Sequence, residues 1–414
     1  MDASAVPAVL PPAERAVLKS QLRRAERAHK LRSIALIAPL LAFLIASFVL
    51  PIGTLLERAV DDSDLPKTLP ATLAVLEHWD ALAVPGEAAF AALALDLREL
   101  RESGRLGIPA KRLGYEISGF RSLLNKTVRK LPESAPYKDA LVAANPEWGE
   151  LPYWQAIRNA AGPHTARYLL AALDREHNAA GEIVVNPESA FIDVFLRTFW
   201  IAGVVTAWCL LLGYPVAYWL SILPPGKANL LMILVLLPFW TSLLVRTAAW
   251  IVLLQSGGLL NGLLMALGFT DQPLELVFNR FGVIVAMTHI LLPFMILPLY
   301  SVMKGIPPYY VRAAVSLGAH PFLAFWKVYV PQTIAGVGAG CLLTYILALG
   351  YYITPALVGG PADQMVSYFV AFYTNKTINW GMASALGALL LAATLVLYAV
   401  YGRLVAAGNP QPRR

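Results

Sequence analysis

Charge is what this sequence has least of. Of its 414 residues only 14% are Asp, Glu, Lys or Arg and 57% are hydrophobic, whereas a soluble globular domain carries about a quarter charged residues. With a mean hydropathy of +0.59, that shortage excludes a water-soluble globule and assigns the chain to a bilayer. Cysteine is nearly as scarce. Cys209 and Cys341 both fall inside apolar runs, so no disulfide framework is expected and both read as small buried hydrophobes. Signatures of catalysis are missing as well. Gly226-Lys227 has neither the upstream glycine nor the following Ser or Thr of a phosphate cradle, and no GxSxG, HExxH or CxxC occurs. His78, His164 and His177 stand in no metal-ligand spacing. No enzyme activity, cofactor or metal is therefore expected. Nor does the net charge of +7 point to nucleic acid, because at this hydropathy Lys and Arg enrichment in cytoplasmic loops explains it.

What the sequence does have is apolar runs. Six reach the roughly 20 residues that cross about 30 Å of hydrocarbon: Ile34 to Leu55, Phe195 to Leu220, Leu230 to Leu254, Val283 to Tyr300, Thr333 to Ile353 and Met382 to Tyr401. The expectation is an all-α polytopic membrane protein with six transmembrane helices. The first run follows a polar leader and exceeds the length of a cleaved signal, so it reads as an uncleaved signal anchor. Basic residues near the runs are biased to one side. Arg15, Lys19, Arg23, Arg24, Arg27, Lys30 and Arg32 precede the first, and Lys227, then Lys304, Arg312 and Lys327, then Arg403, Arg413 and Arg414 recur at alternate loops. Both termini are thereby expected in the cytoplasm.

The expected organisation is a cytoplasmic segment at 1–33, the first helix at 34–55, an outward-facing insert at 56–190, a five-helix core at 191–402 and a cytoplasmic tail at 403–414. Within the insert, "EAAFAALALDLRELRESGRL" and "YWQAIRNAAGPHTARYLLAALDREH" carry apolar residues at helical spacing, interrupted by Gly104, Pro109, Pro132 and Pro163. Several short packed helices are expected there.

Ionisable residues are almost missing from the run centres, where a proton-driven carrier would need them. Arg246 is the main exception. Counting from Ala228 along a continuous helix places it about 27 Å up the third span, as a snorkelling side chain or as a residue that lines a pathway. His289 stands alone on an apolar helix and reads as a hydrogen-bonded packing residue. Pro215, Pro238, Pro293 and Pro298 lie inside spans and kink them. Gly336 and Gly340 in "GVGAG" let a helix approach closely, from this chain or from a second subunit.

The stretch "RAAVSLGAHPFLAFWKVYVP", Arg312 to Pro331, is too short and too polar to cross. Pro307 and Pro308 suit a helix start. A short helix from about Tyr309 to Leu317, with Ala313 and Ala314 on a small face, ends at Gly318, which alone enters a left-handed stop without steric cost. Pro321 then opens a second helix and Pro331 precedes the fifth span. Physical reasoning leaves two readings, an amphipathic helix on the headgroups or a knob for a soluble partner.

The same stretch resembles the coupling (EAA) loop, about 305–331 here, of binding-protein-dependent ABC import permeases. Ala313, Ala314, Gly318 and Pro331 match its pattern, while Arg312 stands where that family usually has Glu. "LLPFWTSLLVRTAAWIVLLQSGGLLN", "LLPFMILPLYSVMKGIPP" and "ALGYYITPALVGGP" are similar to the spermidine/putrescine-type permeases of the first-subunit kind, over about Val194 to Gly402. The resemblance implies an inner-membrane importer with a cytoplasmic ATPase dimer that binds the ATP, a second permease subunit, and a periplasmic substrate-binding protein. Arg312, Ala313, Ala314, Gly318, Pro321 and Pro331 would form the ATPase-coupling loop. It implies a polyamine cargo, for which Trp240, Arg246, Tyr351, Tyr352, Thr354 and Pro355 are the pathway candidates. Aromatic faces attract cations, although Tyr and Trp belts are also common at interfaces. Asp271, Glu275 and Asp363 are placed to meet ligand or binding protein. The alternatives are a permease for another small organic solute such as an amino-acid derivative or opine, an ion-coupled carrier, and a membrane anchor whose work is done by the insert.

Overall fold

The computed structural model describes residues 34–177 and 182–408. The basic residues from Arg15 to Arg32, and Arg413 and Arg414, lie outside the described residues. Six described helices are long and apolar enough to cross a membrane: Ile34–Glu57, Phe191–Ile222, Leu243–Ala266, Arg280–Lys304, Pro321–Gly350 and Trp380–Arg403.

The first is a unit by itself. Its apolar side chains are exposed along its length, Leu36 and Phe43 among them. Its hydroxyls turn back onto their own helix, Ser47 Oγ donating to the Phe43 carbonyl at 2.6 Å and Thr54 Oγ1 to Pro51 at 3.0 Å. Both hydroxyls are thereby satisfied within the helix, as hydrocarbon requires.

From Arg58 the chain forms a second unit. It begins with short helices, including Pro70–Leu76, Glu87–Glu102, Phe120–Arg129 and Leu151–Asn159. Their inward faces bury Phe90, Leu93, Leu97, Leu124, Trp148 and Trp154 in one core. Both indoles find partners there: Trp148 Nε1 donates to Thr127 Oγ1 at 2.8 Å and Trp154 Nε1 to the Trp148 carbonyl at 2.9 Å. Asp96 accepts from the Ala71 and Thr72 amides at 3.2 and 2.7 Å, placing a carboxylate at the start of Pro70–Leu76 where free N–H groups gather. The expectation of short packed helices is met, with one addition. Arg175–His177 pairs antiparallel with Ile183–Val185, a ribbon of three-residue strands too short for alternation to register. Asp174 then accepts from the Phe191 and Ile192 amides at 2.7 and 2.8 Å and so starts the second span.

The membrane core is built on the second, fourth and fifth spans. Ile201, Val205, Cys209, Met287, Leu291, Met295 and Leu299 are fully buried between them, and Cys209 and Cys341 are free thiols. Gly336 faces Val302, and Gly340 faces Met295, so the small-residue stripe packs within this chain. A Cβ at position 340 would sit 2.8 Å from Met295 Sδ and 3.2 Å from the Met295 carbonyl. Gly340→Val is expected to cost about 1–3 kcal/mol through overpacking and to lower the thermal unfolding midpoint of the detergent-solubilised protein. A midpoint equal to that of the natural chain would show that the two spans do not meet there.

The third span departs from expectation. Instead of one helix over Leu230 to Leu254, Pro225–Leu236 gives way to a 3₁₀ turn at Leu237–Trp240, two extended residues, Thr241 and Ser242, and a new helix at Leu243–Leu254. Pro238 cannot donate to the preceding turn, and Thr241 Oγ1 takes up its carbonyl at 2.9 Å. Distances counted along an unbroken helix therefore fail, including the height assigned to Arg246.

The insert and the core meet in a polar seam. Arg112 donates to both Asp62 oxygens at 2.5 and 2.6 Å and to Glu116 at 2.6 Å, and Arg167 joins the same Glu116. Lys111 Nζ donates to the Ile378 carbonyl, Arg58 lies over the Trp380 ring at 5.3 Å, and the Tyr168 ring lies against Gly381. Burial lifts the Asp62 carboxyl above its ordinary value, against the pull of Arg112. Burial also works against the Arg112 charge, yet the bonds to Asp62 and Glu116 hold its pKa above the usual. A guanidinium does not give up its proton, so the geometry is that of a charged pair.

Candidate functional site

The stretch from Pro307 to Pro331 forms a hairpin. Tyr309–Ser316 is helical, with Pro308 at its N-terminal boundary. Its end carries the paired hydrogen bonds of a Schellman stop: the Ala319 amide donates to the Ala314 carbonyl at 3.0 Å and the Gly318 amide to Val315 at 2.9 Å. Gly318 has φ +94°, a conformation open mainly to glycine. His320 then caps the next helix, its Nδ1 accepting from the Phe322 amide at 3.3 Å, and Pro321 stands in the first turn, where its missing N–H costs nothing.

Pro331 corrects the sequence reading. No separate helix ends before it: Pro321–Gly350 is one span, and a π turn at Phe325–Tyr329 widens the turn that Pro331 would otherwise crowd. The hairpin is thus the bent end of the fifth span. Phe325 stacks on Tyr329 with ring centroids 5.5 Å apart, and Tyr218 of the second span meets both rings at 5.2 Å. Tyr329 lies 3.4 Å from Ser221 Oγ, and Lys304 Nζ reaches the Ser221 carbonyl at 3.4 Å. Ring contacts and the Lys304–Ser221 bond thus tie the hairpin to the ends of the second and fourth spans.

The surface of the hairpin exposes large apolar side chains, two of them on the bent end of the fifth span. Leu317 is 89% exposed, Phe322 67% and Trp326 53%. Ala313 and Arg312 are exposed and Ala314 is half-buried. Arg312 takes part in none of the ion pairs among the described residues.

A second constellation lies on Leu243–Leu254. Arg246, Thr247 and Trp250 share one face, as residues three or four apart do on a helix. Thr247 Oγ1 is 3.3 Å from Thr354 Oγ1, and Trp250 Nε1 donates to His289 Nδ1 at 3.1 Å. Arg246 Nε and Nη1 are buried without a hydrogen-bond partner, with His289 and Tyr351 near it. A buried donor with nothing to donate to is costly.

Of the pathway candidates, Arg246 and Tyr351 come together here. Thr354 and Pro355 are buried, Thr354 held against Thr247, and Tyr352 is 41% exposed. Trp240 belongs to the 3₁₀ turn, is 76% exposed and joins no ring pair among the described residues. Asp363 is not free for a ligand: it is 5% exposed, pairs with Arg280 at 3.0 Å and accepts from the Gly360 amide at 3.2 Å. Sequence reasoning missed Thr247 and Trp250 as partners of this site. The spacing from Arg246 held the signal; His289, read as a hydrogen-bonded packing residue, is one, but its partner Trp250 lies on another span. Among the described residues no group of His, Cys, Asp and Glu is arranged to hold a metal ion.

No family model matches the chain. It is 34% identical over 224 residues to the spermidine/putrescine transport system permease protein PotB of Haemophilus influenzae, covering 53% of this chain and 78% of that one. It is 33% identical over 213 residues to PotB of Escherichia coli K12, covering 51% and 78%. A permease protein named for 2-aminoethylphosphonate transport, PhnU of Salmonella choleraesuis, is 27% identical over 213 residues, covering 51% and 74%. On these relatives, and with six membrane-length helices and a turn-stopped hairpin between the fourth and fifth, the chain belongs to the ABC transporter permeases of the spermidine/putrescine type, transport subunits of the inner membrane and not enzymes.

Proposed function

We propose that this chain forms half of the membrane passage of an ATP-driven importer, with a different permease chain as the other half. A cytoplasmic ATPase dimer drives it, and a periplasmic binding protein delivers the cargo. The hairpin carries this reading. It exposes Leu317, Phe322 and Trp326, it is stopped by a left-handed glycine, and its rings are locked to the core, which is what a lever pushed by a soluble partner requires. Arg312, Ala313, Ala314, Gly318, Pro321 and Pro331 belong to that lever. The hairpin and both termini face the cytoplasm, and the insert at 56–190 faces the periplasm. Closure of the ATPases shifts the spans between inward- and outward-open states, each ligand biasing the state to which it binds better.

The cargo is a polyamine, a reading supported by the PotB relatives and by the rings of Trp250 and Tyr351, whose faces suit cations. The test is reconstitution of this chain with its partner permease, ATPase and binding protein in liposomes. ATP-dependent uptake of labelled putrescine or spermidine is expected, and uptake by this chain alone without ATP would overturn the reading.

One observation favours a second cargo class. The unpartnered donors of Arg246 suit a carboxylate or phosphonate, as on an amino-acid derivative, and the PhnU relative is named for a solute that carries both an amine and a phosphonate. Arg246→Gln separates the two. An amine-only cargo is expected to keep its uptake within about threefold, whereas a cargo held by its anion loses a charge-assisted bond of about 1.5–3 kcal/mol and about tenfold or more in half-saturating concentration.

A further inference from the structure

The flank of the core carries a groove that shares Tyr218, Phe325 and Trp326 with the hairpin's base and extends well beyond it along the second span. It has a volume of about 630 Å³ and runs between the second span and the π-turn end of the fifth, lined by Ala207, Leu211, Pro215, Trp326, Val330 and Val337. Tyr214 and Tyr218 also border it, but the Tyr214 hydroxyl is taken by Thr333 Oγ1 at 3.1 Å and the Tyr218 ring meets Phe325 and Tyr329 edge-on. The groove therefore offers hydrocarbon and ring faces along its floor.

Its length and position are specific. From Ala207 to Tyr218 a helix rises about 16 Å, close to half of a hydrocarbon core of about 30 Å. The groove thus spans one leaflet, from mid-membrane to the end where the hairpin begins. At that end the charge is of one sign. Lys304 Nζ lies 3.4 Å from the Ser221 carbonyl, one turn beyond Tyr218, and the exposed Lys327 follows Trp326 directly. From Tyr300 to Gly350 the sequence contains no Asp or Glu, so neither lysine has an acid nearby in sequence, and neither forms an ion pair among the described residues.

We infer that this groove is a binding site for one anionic phospholipid, an acyl chain lying along Ala207 to Val337 and the phosphate held by Lys304 and Lys327. The inference rests on the cytoplasmic placement of the hairpin proposed above. Charge complementarity selects the occupant: an apolar helix would fill the groove and leave both ammonium groups unanswered, whereas an anionic headgroup attracts each lysine at the membrane surface. Because Trp326 and Phe325 belong to the π turn through which the hairpin joins the fifth span, the lipid would brace the lever at its hinge.

Native mass spectrometry of the full-length chain in mild detergent, offered equal dioleoylphosphatidylglycerol and dioleoylphosphatidylcholine, tests it without any transport assay. Failure here is thus distinguishable from failure of the importer reading, which uptake decides. The expected result is one retained phosphatidylglycerol, preferred about tenfold. In the variant Lys304→Gln/Lys327→Gln that preference falls to near parity, and Ala207→Trp reduces retention of both lipids. Equal retention of the two lipids by the natural chain, or a preference unchanged in the lysine variant, would overturn the assignment, as would undiminished retention in Ala207→Trp.

Discussion

Gly318→Val is expected to lower ATP-driven uptake by the reconstituted importer at least about tenfold while the chain stays in the membrane at its usual level. The reason is confined to the backbone. A Cβ at this position would meet no atom within 4 Å, so crowding plays no part. The φ of +94° is another matter, since a left-handed conformation costs an L-residue about 1–2 kcal/mol, and more when the side chain branches at Cβ. The helix that this glycine stops is eight residues long and buries none of them, so little packing is available to offset the strain. The hairpin then unwinds or overruns its stop, and the exposed Leu317 and Phe322 leave their places. About 1–2 kcal/mol lowers the population of the stopped form roughly five- to thirtyfold, and uptake is expected to fall at least tenfold. A graded series sharpens the test. Asn enters the left-handed region more readily than other non-glycine residues, so Gly318→Asn should retain most activity, Gly318→Ala less and Gly318→Val least. Uptake that is equal across the series would show that the stop plays no part in coupling. Chain levels in isolated membranes, measured in parallel, separate lost coupling from lost protein.

What could be read in advance, and what could not, divides along physical lines. The apolar runs disclose themselves by length and hydropathy, because a hydrocarbon core imposes both, and five of the expected spans coincide with helices of the structure. Gly318 disclosed its φ because few other reasons place a glycine between an Ala-rich turn and a His-Pro pair. The break at Leu237–Ser242 did not show: Pro238 signals a kink, but a 3₁₀ turn followed by two extended residues depends on how Thr241 accommodates the freed carbonyl. Pro331 failed in the opposite direction. A proline so placed reads as a boundary, and the π turn that lets the helix run through it is set by packing of Phe325 and Tyr329 on Tyr218, contacts more than a hundred residues apart in sequence. The Arg246 cluster was half legible for the same reason. Spacing joins Arg246 to Trp250, while His289 and Tyr351 arrive from other spans.

The largest stability effect is expected at Arg112. Its side chain is 6% exposed and that of Asp62 3%, so each has exchanged water for the other. Arg112→Met strands the Asp62 carboxylate in the seam and removes a partner of Glu116, a loss of about 3–5 kcal/mol typical of a broken buried pair. The seam joins the insert core to the loop before the sixth span, so hydrogen exchange of the amides around Leu97 and Trp148 should report it. Protection there is expected to fall by about two to three orders of magnitude relative to the natural chain at neutral pH. The pH dependence has a definite sign. Burial already lifts the Asp62 carboxyl, and without the Arg112 guanidinium only the weaker pull of Arg167 opposes that lift. A carboxyl whose folded pKa lies above its unfolded value binds protons more tightly in the native state, so the variant gains stability as pH falls and its deficit is greatest at neutral pH and above. Removing both charges should behave differently from removing one. Asp62→Leu/Arg112→Met leaves no buried ion to solvate and is expected to recover most of the protection. If instead Arg112→Met and the double variant lose protection equally and without regard to pH, the seam is held by shape and not by charge.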